Sequence, residues 1–192
     1  MLSPRTRQLK AVGCRSGGWL CAFAIVMACL PTLVAPKPAQ AQSAGSREYP
    51  IKAAFLYNFL KYIDFPPGAA GNNVTIGIVG NDPSDGAFDA LNGKVVNGKT
   101  LVVRHLGTRF DFAGINVVFV PNSERGHLRQ ILDNAHAGLL TVGESAGFAQ
   151  SGGIINFVPE GNRVRFEINP DAALKYDLKV SSQLLRLAMI VH

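Results

Sequence analysis

The sequence predicts an α/β fold: a three-layer sandwich with a mostly parallel sheet and an antiparallel C-terminal hairpin. Short, uniformly apolar runs alternate with helical patterns, which is typical of parallel strands buried on both faces. Residues 163–168 instead alternate charged and apolar side chains, the period of a strand with one open face. No internal repeat and no domain-sized linker interrupts the pattern. Residues 49–192 are therefore expected to form a single domain.

Residues 1–41 have the pattern of a cleavable signal peptide. Basic residues precede an apolar stretch from Trp19 to Val34, and Ala39-Gln40-Ala41 fits a small-x-small cleavage site. The stretch is shorter than the ~20 residues that a membrane span requires. We therefore expect export to the periplasm and a mature chain that begins near Gln42 and does not insert into the membrane.

Removal of this segment changes the charge of the protein. The full chain has 19 basic and 13 acidic residues and a net charge of +6. Residues 1–41 contain five of the basic residues and none of the acidic ones, which leaves a net charge of +1. They also contain all three cysteines, Cys14, Cys21 and Cys29. The composition therefore argues against nucleic-acid binding and excludes a disulfide or thiolate site in the mature chain.

The first part of the mature chain predicts a flexible lead at 42–48 and then a helix from Pro50 to Ile63. A wide apolar face indicates that this helix packs on the core. The helix is expected to end at 65–68, because a residue that precedes proline is disfavoured in helical geometry.

Short elements follow in the middle of the chain. A strand is predicted at 74–79. It is followed by a short helix that Ser84 or Asp85 caps and that ends at Leu91. A hairpin is then predicted at 94–105, with its turn at Asn97-Gly98.

Beyond this hairpin, residues 107–114 are interpreted as a loop. Strands are expected at 117–120 and 139–142, and helices at 124–135 and 144–149.

The C-terminal part predicts a second hairpin and a closing helix. The strands 154–158 and 163–168 flank turn residues at 159–162. Ser181 is expected to cap an amphipathic helix. Its apolar face would contain Leu184, Leu185, Ala188 and Val191.

Catalytic and metal-binding patterns are weak. The glycines at 77 and 80 do not fit a dinucleotide or phosphate loop, and Ser181-Ser182 lacks a nucleophile elbow. His127 and His136 would lie on opposite sides of one helix. The remaining spaced carboxylates are Asp82, Asp85 and Asp89, which we interpret as capping and surface residues. The expectation is a protein that is not an enzyme and has no cofactor or metal.

Six segments together resemble the YfiR/HmsC-like family of periplasmic proteins. They are IKAAFLYNFLKYIDFP, IGIVGNDP, LNGKVVNGKTLVVR, TVGESAGFAQSGGIINFV, VRFEIN and LKVSSQLLRLA. The resemblance covers about residues 49–191 in one order and without large gaps.

This resemblance implies a small exported α/β protein that can form a homodimer. It also implies a repressor that binds the periplasmic sensor domain of an inner-membrane diguanylate cyclase and so lowers cyclic di-GMP, which controls biofilm formation. Family members often have cysteines near the positions of Gly77 and Ile115, where a disulfide can form. Both cysteines are absent here, so a thiol-based redox response is not expected.

Three functions remain open from the sequence: the repressor, a small-molecule sensor and a hydrolase. The absence of a nucleophile motif disfavours the hydrolase. Four residues are candidates for partner binding because their sequence positions predict exposure: Phe110, Phe112, Arg163 and Arg165.

Overall fold

A sheet of eight strands is the centre of the computed structural model, which describes residues 44–161 and 163–192 and the side chains from Glu48 onward. The predicted signal peptide lies outside the described residues. The strands are β1 (Ile63–Asp64), β2 (Asn73–Val79), β3 (Val95–Val96), β4 (Lys99–Gly107), β5 (Val117–Val120), β6 (Leu140–Gly143), β7 (Ile155–Glu160), β8 (Arg163–Ile168), β9 (Lys179–Val180) and β10 (Met189–Ile190). The helices are α1 (Ala44–Phe59), α2 (Leu128–Asp133), α3 (Pro170–Lys175) and α4 (Ser182–Leu185), with 3-10 helices at Asp89–Leu91 and Asn122–His127.

The strand order in the large sheet is β10-β8-β7-β6-β5-β2-β4-β3. Five neighbouring strands, from β4 to β7 in this order, are parallel. The hairpin partners β3 and β8 are antiparallel to β4 and β7, and β10 runs parallel to β8. The predicted mostly parallel sheet and antiparallel C-terminal hairpin are confirmed.

Two hydrophobic clusters cover the two faces of this sheet. Alternate side chains of β5 point to opposite clusters, as the period of two requires: Phe119 joins one cluster and Val118 the other. The first cluster contains Leu56 and Phe59 of α1, and the second contains Ile131 of α2. Helices on both faces of a buried sheet give the three-layer arrangement that the sequence predicts.

Helix α1 is displaced towards the N-terminus relative to the prediction. It begins at Ala44 and ends at Phe59, so residues 44–48 of the predicted flexible lead are helical and Pro50 lies inside the helix. The helix ends before Ile63 because that residue pairs with Val180 in a small antiparallel sheet of β1 and β9.

Several short elements differ from the predicted ones. The predicted helix at 84–91 is a series of turns followed by a 3-10 helix, and the one at 124–135 is divided between a 3-10 helix and α2. Residues 144–149 form turns instead of a helix. The side chain of Phe148 in this segment packs between Gly143 and Gly153, where a Cβ atom on either glycine would collide with the ring. The Asn97-Gly98 turn is confirmed, with positive φ at both residues.

The C-terminal end shows the largest difference. Ser181 caps α4 as predicted and accepts a hydrogen bond from the Leu184 amide at 3.3 Å. The helix nevertheless ends at Leu185, and the chain then extends as β10, whose Met189 pairs with Glu167 of β8. The predicted long closing helix is wrong because the open edge of β8 offers hydrogen bonds to these residues.

Candidate functional site

The two phenylalanines of the 107–114 loop are less accessible than the sequence predicts. Phe112 is only 2% exposed and belongs to the second hydrophobic cluster. Phe110 is half-buried, and its ring centroid lies 5.6 Å from that of the His127 ring. The prediction that Phe112 is exposed is wrong, because the loop packs against the sheet instead of projecting from it.

The two arginines of β8 are exposed, as predicted, near the tip of the C-terminal hairpin. Arg165 Nε donates a hydrogen bond to Glu160 Oε2 at 2.7 Å. This hydrogen bond and the positive charge of Arg165, with a smaller contribution from Arg163, hold the pKa of Glu160 below its usual range. No hydrogen bond, ion pair or ring contact joins Phe110 to either arginine in the part of the chain that the structure describes. The contact role of these three residues stays a prediction.

A different surface stands out at the C-terminal edge of the sheet. Its side chains are large and apolar, and they are between 43% and 70% exposed. We call this surface the apolar edge and define it by Leu174, Leu187, Met189 and Ile190. Leu187, Met189 and Ile190 lie within four consecutive positions of the chain, and the contact of His192 with Asp171 places the end of β10 beside α3, which carries Leu174. Exposed apolar side chains on and beside an open sheet edge are candidates for an interaction site.

The apolar edge is built on well-anchored backbone. β10 pairs with β8, and the Val191 amide donates a hydrogen bond to the Ile168 carbonyl at 2.9 Å. His192 Nδ1 lies 3.0 Å from Asp171 Oδ2 and so connects the end of the strand to α3. Leu174 is three residues after Asp171 and therefore lies on the same side of that helix. A preformed surface of this kind requires little ordering when a partner binds.

The sequence contains two signals that could have indicated this surface. Asn169 caps α3 by accepting a hydrogen bond from the Ala172 amide at 2.8 Å, and Pro170 occupies the first turn. This pairing of asparagine and proline is typical of a helix start, although we did not predict that helix. Leu187 falls outside the apolar face that we predicted for the closing helix, and its exposure agrees with that placement.

A buried polar network lies at the carboxyl end of the parallel strands. Lys52 of α1 is only 5% exposed, and its Nζ lies 2.5 Å from Glu144 Oε2 and 2.5 Å from Glu48 Oε1. Glu144, which follows β6, also accepts hydrogen bonds from the Tyr49 hydroxyl and the Asn122 amide. Two carboxylates hold the ammonium group, so it is positioned to attach α1 to the sheet and not to act as a nucleophile.

Tyr49 shows the electrostatic effect of this network. Burial raises the pKa of its hydroxyl far above the usual value, and the negative charge of Glu144 raises it further. The tyrosine therefore remains neutral, and its hydroxyl donates a hydrogen bond to Glu144, which supports a structural role for the cluster.

An open cleft of about 380 Å³ lies beside β4. Arg104, His105, Arg109 and Asp111 line it together with apolar side chains. Within the described ranges, neither Arg104 nor Arg109 forms an ion pair. The cleft could therefore accept a small anionic molecule.

The four histidines lie on separate elements and have different partners. His127 and His192 lie beside carboxylates, and His136 lies beside backbone oxygens. His105 Nε2 lies 2.9 Å from Asp89 Oδ1. In the described part of the chain, no serine hydroxyl is hydrogen-bonded to a histidine, so the geometry offers no nucleophile–base pair of the serine-hydrolase type.

A family model described as YfiR/HmsC-like matches residues 49–189, which is most of the chain. The chain belongs to the YfiR/HmsC-like family. The family identified by its sequence motifs is thus confirmed. Members of this family are periplasmic and regulatory, which is consistent with control of a diguanylate cyclase system. Curated proteins gave no significant match.

Solved structures support the fold of this YfiR/HmsC-like protein. A domain described as an ABC domain in complex with L-Trp, from Streptococcus pneumonia, shares 11% identity and a TM-score of 0.50, over 72% of this chain and 60% of the other. A conserved domain protein from Vibrio cholerae O1 biovar El Tor shares 11% identity and a TM-score of 0.52, over 75% of this chain and 60% of the other. The chain thus spans about three-fifths of each of these structures. At this identity the likeness concerns the fold alone.

The length and apolar character of the described helices decide whether any of them could span a membrane. None of them is both long enough and apolar enough to cross a membrane.

Proposed function

We propose that this protein is a periplasmic repressor that binds the periplasmic sensor domain of an inner-membrane diguanylate cyclase and so lowers cyclic di-GMP. Membership of a periplasmic regulatory family supports the proposal. The observation that carries it is the apolar edge, because a protein that acts by binding another protein needs a preformed and partly apolar contact surface.

The apolar edge would form the centre of the interface. Stable protein interfaces bury roughly 1,200–2,000 Å² in total, so the partner must also contact polar residues around these four side chains. Apolar residues at the centre of an interface supply most of the affinity, while the surrounding polar residues exclude water from it. Arg163 and Arg165, on the neighbouring strand β8, are candidates for this polar rim.

The repressor needs only to favour one state of the cyclase. A ligand shifts a conformational equilibrium by the difference between its affinities for the two states. A difference of about 1.4 kcal/mol changes the ratio of the two states tenfold. No chemical reaction by the repressor is required.

We also propose that residues 1–41 are removed during export and that residues 49–192 form the single mature domain. The basic start, the apolar stretch and the Ala39-Gln40-Ala41 site support cleavage. Mass spectrometry of the exported protein is expected to show an N-terminus near Gln42, and an intact Met1 would contradict cleavage.

The repressor proposal is tested by a deletion strain in which cyclic di-GMP is measured. Deletion is expected to raise cyclic di-GMP and biofilm formation, and an exported wild-type copy is expected to restore both. A copy without residues 1–41 should restore neither. Unchanged cyclic di-GMP in a deletion strain that expresses the cyclase would contradict the proposal.

The contact surface is tested in the same strain with a Leu187→Asp copy. This change places a charge in the apolar edge without removing a buried side chain, so repression is expected to fall while folding is retained. Val95→Asp is the matched control, because Val95 is 56% exposed on β3 at the opposite edge of the sheet. Equal loss of repression in both variants would show that the apolar edge is not the contact.

A homodimer is the competing use of the same edge, since an open strand can pair with a second copy. Light scattering over a range of concentrations distinguishes the two uses. A dimer that Leu187→Asp dissociates, with repression unchanged, would assign the edge to self-association.

The small-molecule sensor remains the second candidate function, and the cleft with Arg104 and Arg109 favours it. Thermal-shift measurements with small carboxylates and phosphates are the direct test. Stabilisation that Arg104→Gln abolishes would support a sensor, and its presence need not exclude repression.

A further inference from the structure

Three side chains that can bind metal ions converge at the carboxyl end of the sheet, away from the apolar edge. Asp82 follows β2, Asp89 begins the first 3-10 helix, and His105 lies near the end of β4. One ligand atom of each residue lies within 4.8 Å of the corresponding atoms of the other two. The sequence shows Asp82 and Asp89 in one stretch of spaced carboxylates, but it does not show that His105, from strand β4, joins them.

Strand pairing brings these segments together. β2 and β4 are parallel neighbours in which Ile78 pairs with His105, so the chain that leaves β2 passes beside the end of β4. The Gly80 amide donates a hydrogen bond to the Gly107 carbonyl at 2.6 Å and closes this end of the pair. Turns between Asp82 and Asp89 then return the chain towards His105.

The distances and exposure suit an ion. His105 Nε2 lies 2.9 Å from Asp89 Oδ1, a hydrogen-bond distance that is only a few tenths of an ångström shorter than the separation of two ligands on a tetrahedral zinc ion. The two side chains are 46% and 53% exposed, so an ion could enter and complete its coordination with water. The imidazole also distinguishes this group from an ordinary cluster of surface carboxylates.

The negative charge of the two carboxylates also favours a bound cation. Among the described residues, neither Asp82 nor Asp89 forms an ion pair with a lysine or an arginine. Two carboxylates close together repel each other, and a bound cation removes that repulsion.

Within residues 44–161 and 163–192, a second histidine–aspartate pair lacks the third ligand residue that the pair of His105 and Asp89 has. His192 Nδ1 lies 3.0 Å from Asp171 Oδ2, with both side chains exposed. The distance resembles that of the first pair, but no third ligand residue joins this group within the described part of the chain. The two pairs therefore differ chiefly in the carboxylate of Asp82.

We propose that Asp82, Asp89 and His105 bind a divalent transition-metal ion, for which Zn²⁺ fits best. Three protein ligands of nitrogen and oxygen type with a remaining position for water are typical of open zinc sites. Imidazole favours Zn²⁺ and its neighbours over Mg²⁺ and Ca²⁺, which prefer oxygen ligands alone. This site is independent of the repressor function, since it lies outside the apolar edge.

The test uses protein that has been dialysed against a chelator and then freed of it. Isothermal titration with ZnCl₂ is expected to show one ion per chain, and Mg²⁺ is expected to show no comparable binding. Titration with Co²⁺ should produce the visible absorption bands of a low-symmetry site with nitrogen and oxygen ligands.

Three single variants examine the ligands, and two examine the control pair. Asp82→Asn, Asp89→Asn and His105→Gln are each expected to raise the Kd for Zn²⁺ at least about tenfold, which corresponds to about 1.4 kcal/mol. Asp82→Asn keeps a side-chain oxygen that can accept the Ser84 amide, so the local turn is preserved. His192→Gln and Asp171→Asn should leave the Kd unchanged.

Each alternative outcome would overturn the proposal. Absence of stoichiometric Zn²⁺ binding would exclude the site, and equal weakening by His192→Gln would indicate nonspecific surface binding. If Asp82→Asn binds as the wild type does while His105→Gln does not, the three-ligand site is wrong. Circular dichroism of each variant confirms that lost binding does not result from lost folding.

Discussion

Strands β5 and β10 are both short and apolar, yet one is completely buried and the other is exposed. All four residues of β5 are inaccessible because β2 and β6 flank the strand and hydrophobic clusters cover both faces. β10 has a neighbour only in β8, so Met189 and Ile190 remain exposed. The position in the sheet, and not the composition of the strand, decides whether apolar residues stabilise the fold or remain available to a partner.

The largest expected effect is at the centre of the sheet. Phe119 of β5 is fully buried, and its ring centroid lies 4.5 Å from that of Phe88. Phe119→Ala is expected to lower the free energy of unfolding by about 3–5 kcal/mol, because it removes a packed ring and leaves a cavity. Ile190→Ala in β10 should change it by less than about 1 kcal/mol. Urea unfolding measures both, and similar losses would contradict the difference between the strands.

The second comparison lies within the C-terminal segment. Leu184 is buried in the first hydrophobic cluster, and Leu187, three residues later, is 70% exposed. Leu184→Ala is expected to cost about 2–5 kcal/mol of stability, whereas Leu187→Ala should cost little. In a cyclase-binding assay with the folded proteins, Leu187→Ala should weaken binding. A Leu187→Ala variant that is less stable than Leu184→Ala would mean that Leu187, and not Leu184, packs on the core.

A third prediction concerns the turns that carry Phe148. A Cβ atom on Gly153 would collide with the ring of Phe148, so Gly153→Ala is expected to cost about 1–3 kcal/mol by overpacking. Gly71→Ala is the control, because a Cβ atom there would meet no other atom within 4 Å. Thermal unfolding should separate the two variants, and equal midpoints would show that the ring moves without cost.

The smallest expected effect is at the exposed tip of the C-terminal hairpin. The hydrogen bond and charge of Arg165 lower the pKa of Glu160, so the ionised carboxylate is favoured in the folded state. The resulting stabilisation exists above the pKa of glutamate in the unfolded chain and is lost as pH falls through the lower folded value. Arg165→Gln should raise the pKa of Glu160 in an NMR titration, and Arg163→Gln should raise it less. An unchanged value in Arg165→Gln would contradict the ion pair.

Elements encoded by local patterns could be predicted from the sequence. The strands β2 and β5 follow from their apolar runs, and the β3–β4 hairpin follows from the turn chemistry of Asn97-Gly98. These signals lie within a few residues of the elements that they specify, so no knowledge of distant partners is needed.

Features that depend on distant partners could not be predicted in the same way. Residues 189–190 become a strand only because the edge of β8 is open to them. Phe112 has the polar, glycine-containing surroundings of an exposed loop, but the surface on which it packs is formed by other segments. Asp82, Asp89 and His105 likewise meet only after β2 and β4 pair. In each case the decisive contact is between residues that are well separated in the sequence.

The pairing of β1 with β9 also bears on the order in which the chain can fold. Ile63 is bonded to a strand that contains Val180, 117 positions later, and the Ser181 amide donates to the Tyr62 carbonyl at 2.9 Å. Strand β1, which follows α1, therefore lacks its pairing strand until nearly the whole chain has been synthesised. Contacts with so large a sequence separation slow folding, because the loop between them must be closed before they contribute. The pairing of β1 with β9 is thus expected to form among the last contacts of the fold.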